Sequence, residues 1–242
     1  MTSLVARGLA LATRLHPTDL VISDPSLVAL VGPNGGGKTS LLRSIARVEN
    51  AAGNVFVDGE CVDGTPPARR RRLLSFMPAS RDITWPIPVR DLLGLGADAE
   101  DPSRIEALLH TLELDLLADR PVNQLSTGER ARVLMARAMA SHPKLILLDE
   151  PLSNLDPYWV IRFLEIFRQA VHAGKILIVS VHDLSQLRHF DRAILVADGA
   201  VQLDKAPAEL LSDERFENIF RITLAGADEW TVKQPADQRS LR

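Results

Sequence analysis

The chain has 242 residues, 46% apolar and 24% charged, with 28 Lys+Arg against 31 Asp+Glu and a net charge of −3. That length supports one or two domains with a buried core, and the balance excludes a wholly disordered chain or a cationic protein that coats nucleic acid. The one cysteine, Cys61, excludes an internal disulfide or a Cys-based zinc cluster and fits a reducing compartment. No signal peptide is expected, and no apolar run reaches the ~18 residues that span a bilayer.

In chain order, the first strong signal is Leu27–Val31 (LVALV). A short, wholly apolar run predicts a strand buried on both faces, as in parallel sheets. A helix is expected over 39–48. Residues 54–62 (NVFVDGECV) place Asp-Gly between alternating apolar positions and predict a hairpin. Arg69, Arg70, Arg71 and Arg72 read as a solvated face. From 79 to 142 no strand-like run occurs. The Trp85-Pro86-Ile87-Pro88 cluster breaks the chain, and helices are expected over 91–95, 104–112 and 127–140. Asp101 and Pro102 suit the N-cap and first position of the second. This stretch reads as a small all-helical insertion. Leu145–Leu148 (LILL) and 176–181 (ILIVSV) are again buried strands, with a helix over 157–173 between them. A second Asp-Gly hairpin is expected over 193–203 and helices over 208–211 and 213–220. The last dozen residues are polar and read as loosely held. Strands alternating with helices imply an α/β fold with a parallel sheet, accompanied by antiparallel strands.

Gly32-Pro33-Asn34-Gly35-Gly36-Gly37-Lys38-Thr39 fits G-x-x-x-x-G-K-[ST] between a buried strand and a helix. A phosphate chain needs several backbone N–H donors converging on it, which glycines allow, and the helix N-terminus adds positive potential. Lys38 suits the β and γ oxygens, and the Thr39 hydroxyl suits Mg²⁺. Asp149 and Glu150 close an apolar strand, where an open α/β sheet meets its ligand. Strand alternation predicts opposite faces and different tasks: Asp149 near Mg²⁺, Glu150 polarising a water against the γ-phosphate. Leu125-Ser126-Thr127-Gly128-Glu129 opens a helix with a capping box, and that helix start is also an anion site. His182 follows a third strand on the same crevice edge and is placed to hydrogen-bond the γ-phosphate. Asp156-Pro157 reads as an N-cap with proline at the first helical position.

The order of these motifs, with Ser153 to Asp156 (SNLD) between the acidic pair and His182, resembles the ATP-binding-cassette (ABC) ATPases over nearly the whole chain. The resemblance implies a P-loop, RecA-like core with an antiparallel β subdomain and an inserted helical subdomain at 79–142. One cassette domain then spans 1–222, followed by a tail at 223–242. It implies ATP and Mg²⁺, with nucleotide contacts from Gly32 through Thr39, Ser40, Ser126, Thr127, Gly128 and Asp156. The metal contacts implied are Thr39 and Asp149; Lys38, Glu150 and His182 act in catalysis. It also implies a head-to-tail homodimer that places the loop of one copy against Ser126, Thr127 and Gly128 of the other. The expected partners are transmembrane permease subunits and, indirectly, a periplasmic binding protein, with no nucleic acid. The expected place is the cytoplasmic face of the inner membrane, peripherally.

Within the family, RLLSFMPASRDITWPIPVRDLLGLG (72–96) and the Ala206-Pro207 ending resemble the ATPases of iron-siderophore, haem and cobalamin importers. Three positions depart from the family pattern. Ala79 stands where Gln is usual, and Thr127 where Gly is usual. No aromatic precedes the loop to stack on adenine, which leaves Arg14 or His16 for that contact. A cassette that binds ATP with little turnover, a soluble cassette not tied to transport, and export in place of import remain the alternatives.

Overall fold

The computed structural model describes residues 2–97, 101, 103–224 and 230–232. Its first layer is antiparallel. Strands β1 (Leu4–Leu11) and β2 (Leu15–Ile22) are followed by β3 (Leu27–Val31) and helix α1 (Lys38–Ile45), then β4 (Ala52–Val57) and β5 (Glu60–Cys61). Four of these strands pair in the order β2-β1-β4-β5. The expected hairpin forms at Asp58-Gly59, where both residues take positive φ (52° and 75°), as a tight two-residue turn requires. Helix α1 stops at Ile45, short of the expected 48, because the chain turns left-handed at Arg47 (φ 54°).

Helix α2 (Pro67–Leu73) carries the arginine run into β6 (Leu74–Met77). The run is a solvated face only in part. Arg69 is an exposed partner of Glu60 at 2.9 Å. Arg70 instead turns inward and donates Nη2 to the carbonyls of Ala46 (2.7 Å) and Arg47 (3.2 Å). Those acceptors are left over at the end of α1, and a nearby guanidinium satisfies them.

The central sheet adds β7 (Leu145–Leu148), β8 (Ile176–Ser180), β9 (Arg192–Ala197) and β10 (Ala200–Lys205), in the order β10-β9-β3-β8-β7-β6. All neighbours are parallel except β9 and β10, which the Asp198-Gly199 turn joins as a hairpin. Period-2 alternation divides the interior into two cores. Leu27, Ala29 and Val31, with Ile146, Leu148, Leu177 and Val179, face one. Val28 and Leu30, with Leu145, Leu147, Ile176 and Ile178, face the other, beside Leu41, Leu42 and Ile45 of α1 and Leu4, Ala6 and Leu9 of β1.

The first core continues into helices α3 (Val89–Gly94), α4 (Ser103–Thr111) and α5 (Thr127–Met139), which contribute Leu92, Leu93, Leu108, Leu109, Val133 and Met135. Among the described residues from 79 to 142 no strand forms, only an isolated bridge between Pro88 and Pro121. Asp101 accepts the Arg104 N–H at the start of α4 (3.2 Å), whereas Pro102 lies outside the described residues. Helix α6 (Pro157–His172) covers the same core with Phe163 and Phe167, and Arg132 of α5 stacks on Trp159 at 4.5 Å.

Helices α7 (Pro207–Leu211) and α8 (Glu214–Phe220) follow. Strand β11 (Ile222–Leu224) then pairs antiparallel with β12 (Trp230–Val232), within the stretch that includes the tail read at 223–242; of the last dozen residues, read as loosely held, only Thr231 and Val232 are described. Three-residue strands are too short to show a period, and the Trp230 ring, 5.8 Å from Phe216, anchors this pair. Residues 233–242 lie outside the described residues.

Candidate active site

The loop after β3 is shaped by what surrounds it. At Gly32 a Cβ would lie 1.9 Å from the Val196 carbonyl oxygen, so no side chain fits. Gly37 takes φ 109° and caps α1, so the chain enters the helix from a conformation that glycine adopts freely. Lys38, the first residue of α1, is only 7% exposed. Its Nζ donates to Gly32 O (2.7 Å) and Pro33 O (3.1 Å), drawing the loop into a ring around the ammonium. Burial pushes this ammonium below the usual lysine range, and the Glu150 and Asp149 carboxylates offset part of that effect.

Asp149 is 1% exposed and fully engaged. Oδ2 accepts from Thr39 Oγ1 and Oδ1 from Ser180 Oγ, both at 2.9 Å. Ser180 Oγ in turn accepts the Glu150 N–H at 2.7 Å. Asp149 and Glu150 do diverge, but not by strand alternation. β7 ends at Leu148, and Glu150 sits in the left-handed region (φ 51°), so a turn rather than a pleat separates them. The Glu150 Oε1 lies 2.7 Å from His182 Nε2, two residues past the end of β8. His182 thus meets the carboxylate directly.

Lys38, Thr39 and Glu150 line a cleft of ≈ 630 Å³ together with Asn34, Gly35, Gly36, Gly37 and Ser40, whereas Asp149 and His182 do not line it. Thr13, Arg14, His16, Arg43, Asp198 and Gly199 complete its lining, with the Gly199 N–H donating to Gly36 O at 3.0 Å. Arg14 and His16, the two residues left for an adenine contact, are thus among the lining of this cleft. Thr13, Arg43 and the Asp198-Gly199 turn were not anticipated; the turn had been read only as a hairpin signal. Ser180 was also missed, although it is the sole polar residue in the β8 run ILIVS.

Gly32 and Pro33 act on the cleft through their carbonyls rather than by lining it. Ser126, Thr127, Gly128 and Asp156 do not line it either. Ser126 forms the expected capping box: its Oγ accepts from Glu129 N–H (3.3 Å) and its own N–H donates to Glu129 Oε2 (2.8 Å). Asp156 caps α6 by accepting the Trp159 N–H at 3.0 Å.

The donor set suits a nucleotide triphosphate with a hard divalent cation: a glycine loop, a buried ammonium, and a hydroxyl beside one carboxylate. Thr39 Oγ1 and Asp149 Oδ2 already converge to 2.9 Å, the oxygen pair that such a cation would share with phosphate oxygens. Among the described residues no three His, Cys, Asp or Glu side chains cluster as an all-protein metal cage.

Residues 15–153 match the ABC transporter family. The chain belongs to this family. It is 34% identical over 230 residues to the hemin import ATP-binding protein HmuV of Rhodopseudomonas palustris, covering 88% of this chain and 84% of that one. It is also 31% identical over 235 residues to the lipopolysaccharide export system ATP-binding protein LptB of Escherichia coli K12, covering 91% and 97%. The fold matches that of the dimeric cassette MJ0796 in a post-hydrolysis state bound to ADP and Pi, with a TM-score of 0.73 at 24% identity over 86% of this chain and 99% of that one. The chain is an ABC-type ATPase, the ATP-binding subunit of an ABC transporter. Among its described residues no helix is long and apolar enough to cross a membrane.

Proposed function

We propose that this subunit drives a bacterial importer for a metal chelate or related cofactor, of the iron-siderophore, haem or cobalamin class. One observation carries the catalytic part: Lys38, Thr39 and Glu150 line one cleft, and hydrogen bonds and close contacts tie Asp149 to Thr39 and His182 to Glu150. ATP is the substrate. Lys38 neutralises the terminal phosphates, and the loop and α1 supply N–H donors. Thr39 and Asp149 hold Mg²⁺, which supplies positive charge to the phosphate oxygens when bound. Glu150 accepts the proton of the attacking water at its carboxylate, and His182, at 2.7 Å from Glu150 Oε1, orients that carboxylate and faces the γ-phosphate. Arg14 and His16 take the base end.

A second copy, packed head to tail, brings Ser126, Thr127, Gly128 and Asp156 to the nucleotide. The support for that role is the likeness to a dimeric cassette bound to ADP and Pi. In this reading 1–222 is one cassette, 79–142 its helical subdomain and 223–242 a tail. Permease subunits dock on the helical side, where Trp85 (76% exposed) and Leu95 (61%) leave apolar surface uncovered. The cassette then works at the cytoplasmic face of the inner membrane, served indirectly by a periplasmic binding protein.

Likeness to HmuV supports import, while likeness to LptB over 97% of its length supports export as the second reading. Deleting the gene in its host and measuring uptake of labelled haem, ferric siderophore and cobalamin separates the two. Loss of one uptake, restored by the wild-type chain and not by Glu150→Gln, is expected. Normal uptake of all three with an altered outer envelope would overturn import.

A further inference from the structure

The loop after β6 carries Ala79, which offers no polar side chain, and two residues later Arg81, which is 9% exposed. Arg81 Nη2 donates to the carbonyl oxygens of Glu150 (3.1 Å) and Pro151 (3.2 Å). The peptide that follows the left-handed Glu150 is therefore gripped at its oxygen by Arg81, while the peptide before it is gripped at its N–H by Ser180. A non-glycine residue persists at positive φ only where its surroundings hold it there. Arg81 Nη1, by contrast, is buried without a hydrogen-bond partner. A buried cation with an unpaired donor is a poor device for stability, since an apolar side chain of similar length would fill the same space without it. Burial holds the Arg81 guanidinium below its usual range, and the nearby Glu150 charge offsets part of this. On its other side, the Arg81 carbonyl accepts from Arg130 Nη1 (3.3 Å), and Arg130 Nη2 also donates to Leu125 O (3.0 Å) beside the Ser126 cap.

We propose that Arg81 is a positioning residue for Glu150. Its guanidinium fixes the Glu150–Pro151 turn that presents the carboxylate to His182, and Arg130, by holding the Arg81 carbonyl, ties the loop that carries Arg81 to the start of α5. This rests on Glu150 acting as the base. The start of α5 is the segment read above as facing the second copy's nucleotide. The Arg130–Arg81–Glu150 chain therefore lets packing at that segment set the aim of the carboxylate in the same subunit.

The test uses the full-length chain, with Arg81→Met and Arg81→Lys assayed for steady-state ATPase, affinity for a fluorescent ATP analogue, and melting temperature. Arg81→Met is expected to lower kcat roughly ten- to hundredfold with KM and analogue affinity within about twofold of wild type, the signature of a misaimed base. Arg81→Lys, which keeps a cationic donor, is expected to recover part of that loss. In a Glu150→Gln background, Arg81→Met is expected to change the residual rate no further, because the group it aims is gone. Wild-type kcat in Arg81→Met overturns the proposal, as does a second full drop in the double variant. If Arg81→Met does not fold, Arg81→Lys decides: a wild-type rate for Arg81→Lys combined with Arg130→Met overturns the coupling. Full turnover of Glu150→Gln alone would instead remove the base assignment, and it is read separately.

Discussion

Two side chains of the cleft carry more than their size suggests. Ser180 Oγ donates to Asp149 and accepts from the Glu150 N–H, so Ser180→Ala strands two buried groups at once. Each such group costs about 1–3 kcal/mol, and a loss on the order of 2 kcal/mol in urea-unfolding free energy is expected, together with a fall in kcat. Unchanged stability would show that water or a rearrangement replaces the hydroxyl. Lys38 is the one side-chain cation donating into the loop's own carbonyls among the described residues. Lys38→Ala is expected to weaken binding of a fluorescent ATP analogue by about two orders of magnitude or more, the loss of a charge-assisted contact of roughly 3 kcal/mol. Analogue binding at wild-type strength would remove the loop from nucleotide recognition.

Helix starts are the elements whose chemistry reads most directly. Ser126 and Glu129 exchange two hydrogen bonds at the head of α5, and those bonds to Ser126 hold the Glu129 carboxyl below its ordinary range. A carboxyl whose folded-state pKa is depressed stabilises the fold above its unfolded pKa, near ~4.3, and loses that contribution as pH falls through the lower folded value. Denaturation followed from pH 6 to pH 3 is therefore expected to show a steeper loss for wild type than for Glu129→Gln. Parallel curves would dismiss the box as an electrostatic element. Ser126→Ala is expected to destabilise by about 1 kcal/mol at neutral pH. The same locality explains what the sequence revealed. Buried runs such as LVALV and LILL, the two Asp-Gly turns and the caps at Ser126 and Asp156 are set by neighbours a few residues away, and each lies where the pattern places it. The hidden parts are long-range. Ser180 meets Asp149 across two strands, Arg81 reaches Glu150 from another loop, and Thr13 joins the cleft because β1 and β2 fold over α1. No spacing rule encodes such meetings. The turn at Glu150 was misread for a related reason: a strand's pleat continues in sequence, but β7 stops one residue before the acidic pair.

At the scale of the whole molecule, Ser126, Thr127 and Gly128 stand outside the cleft that Lys38 serves. If a second copy supplies them, Glu150→Gln with ATP and Mg²⁺ is expected to convert monomer to dimer in light scattering, while ADP leaves it monomeric. A monomer at every ATP concentration would refute pairing by the isolated subunit. The ammonium ring around Lys38 has a further consequence. Nζ carries three N–H donors and spends two on the Gly32 and Pro33 oxygens, so the third is left for an incoming phosphate oxygen. The two carbonyls thereby fix the direction in which the ammonium can offer that last bond. Binding then needs no search by a flexible lysine, because the loop's own backbone has already aimed its charge.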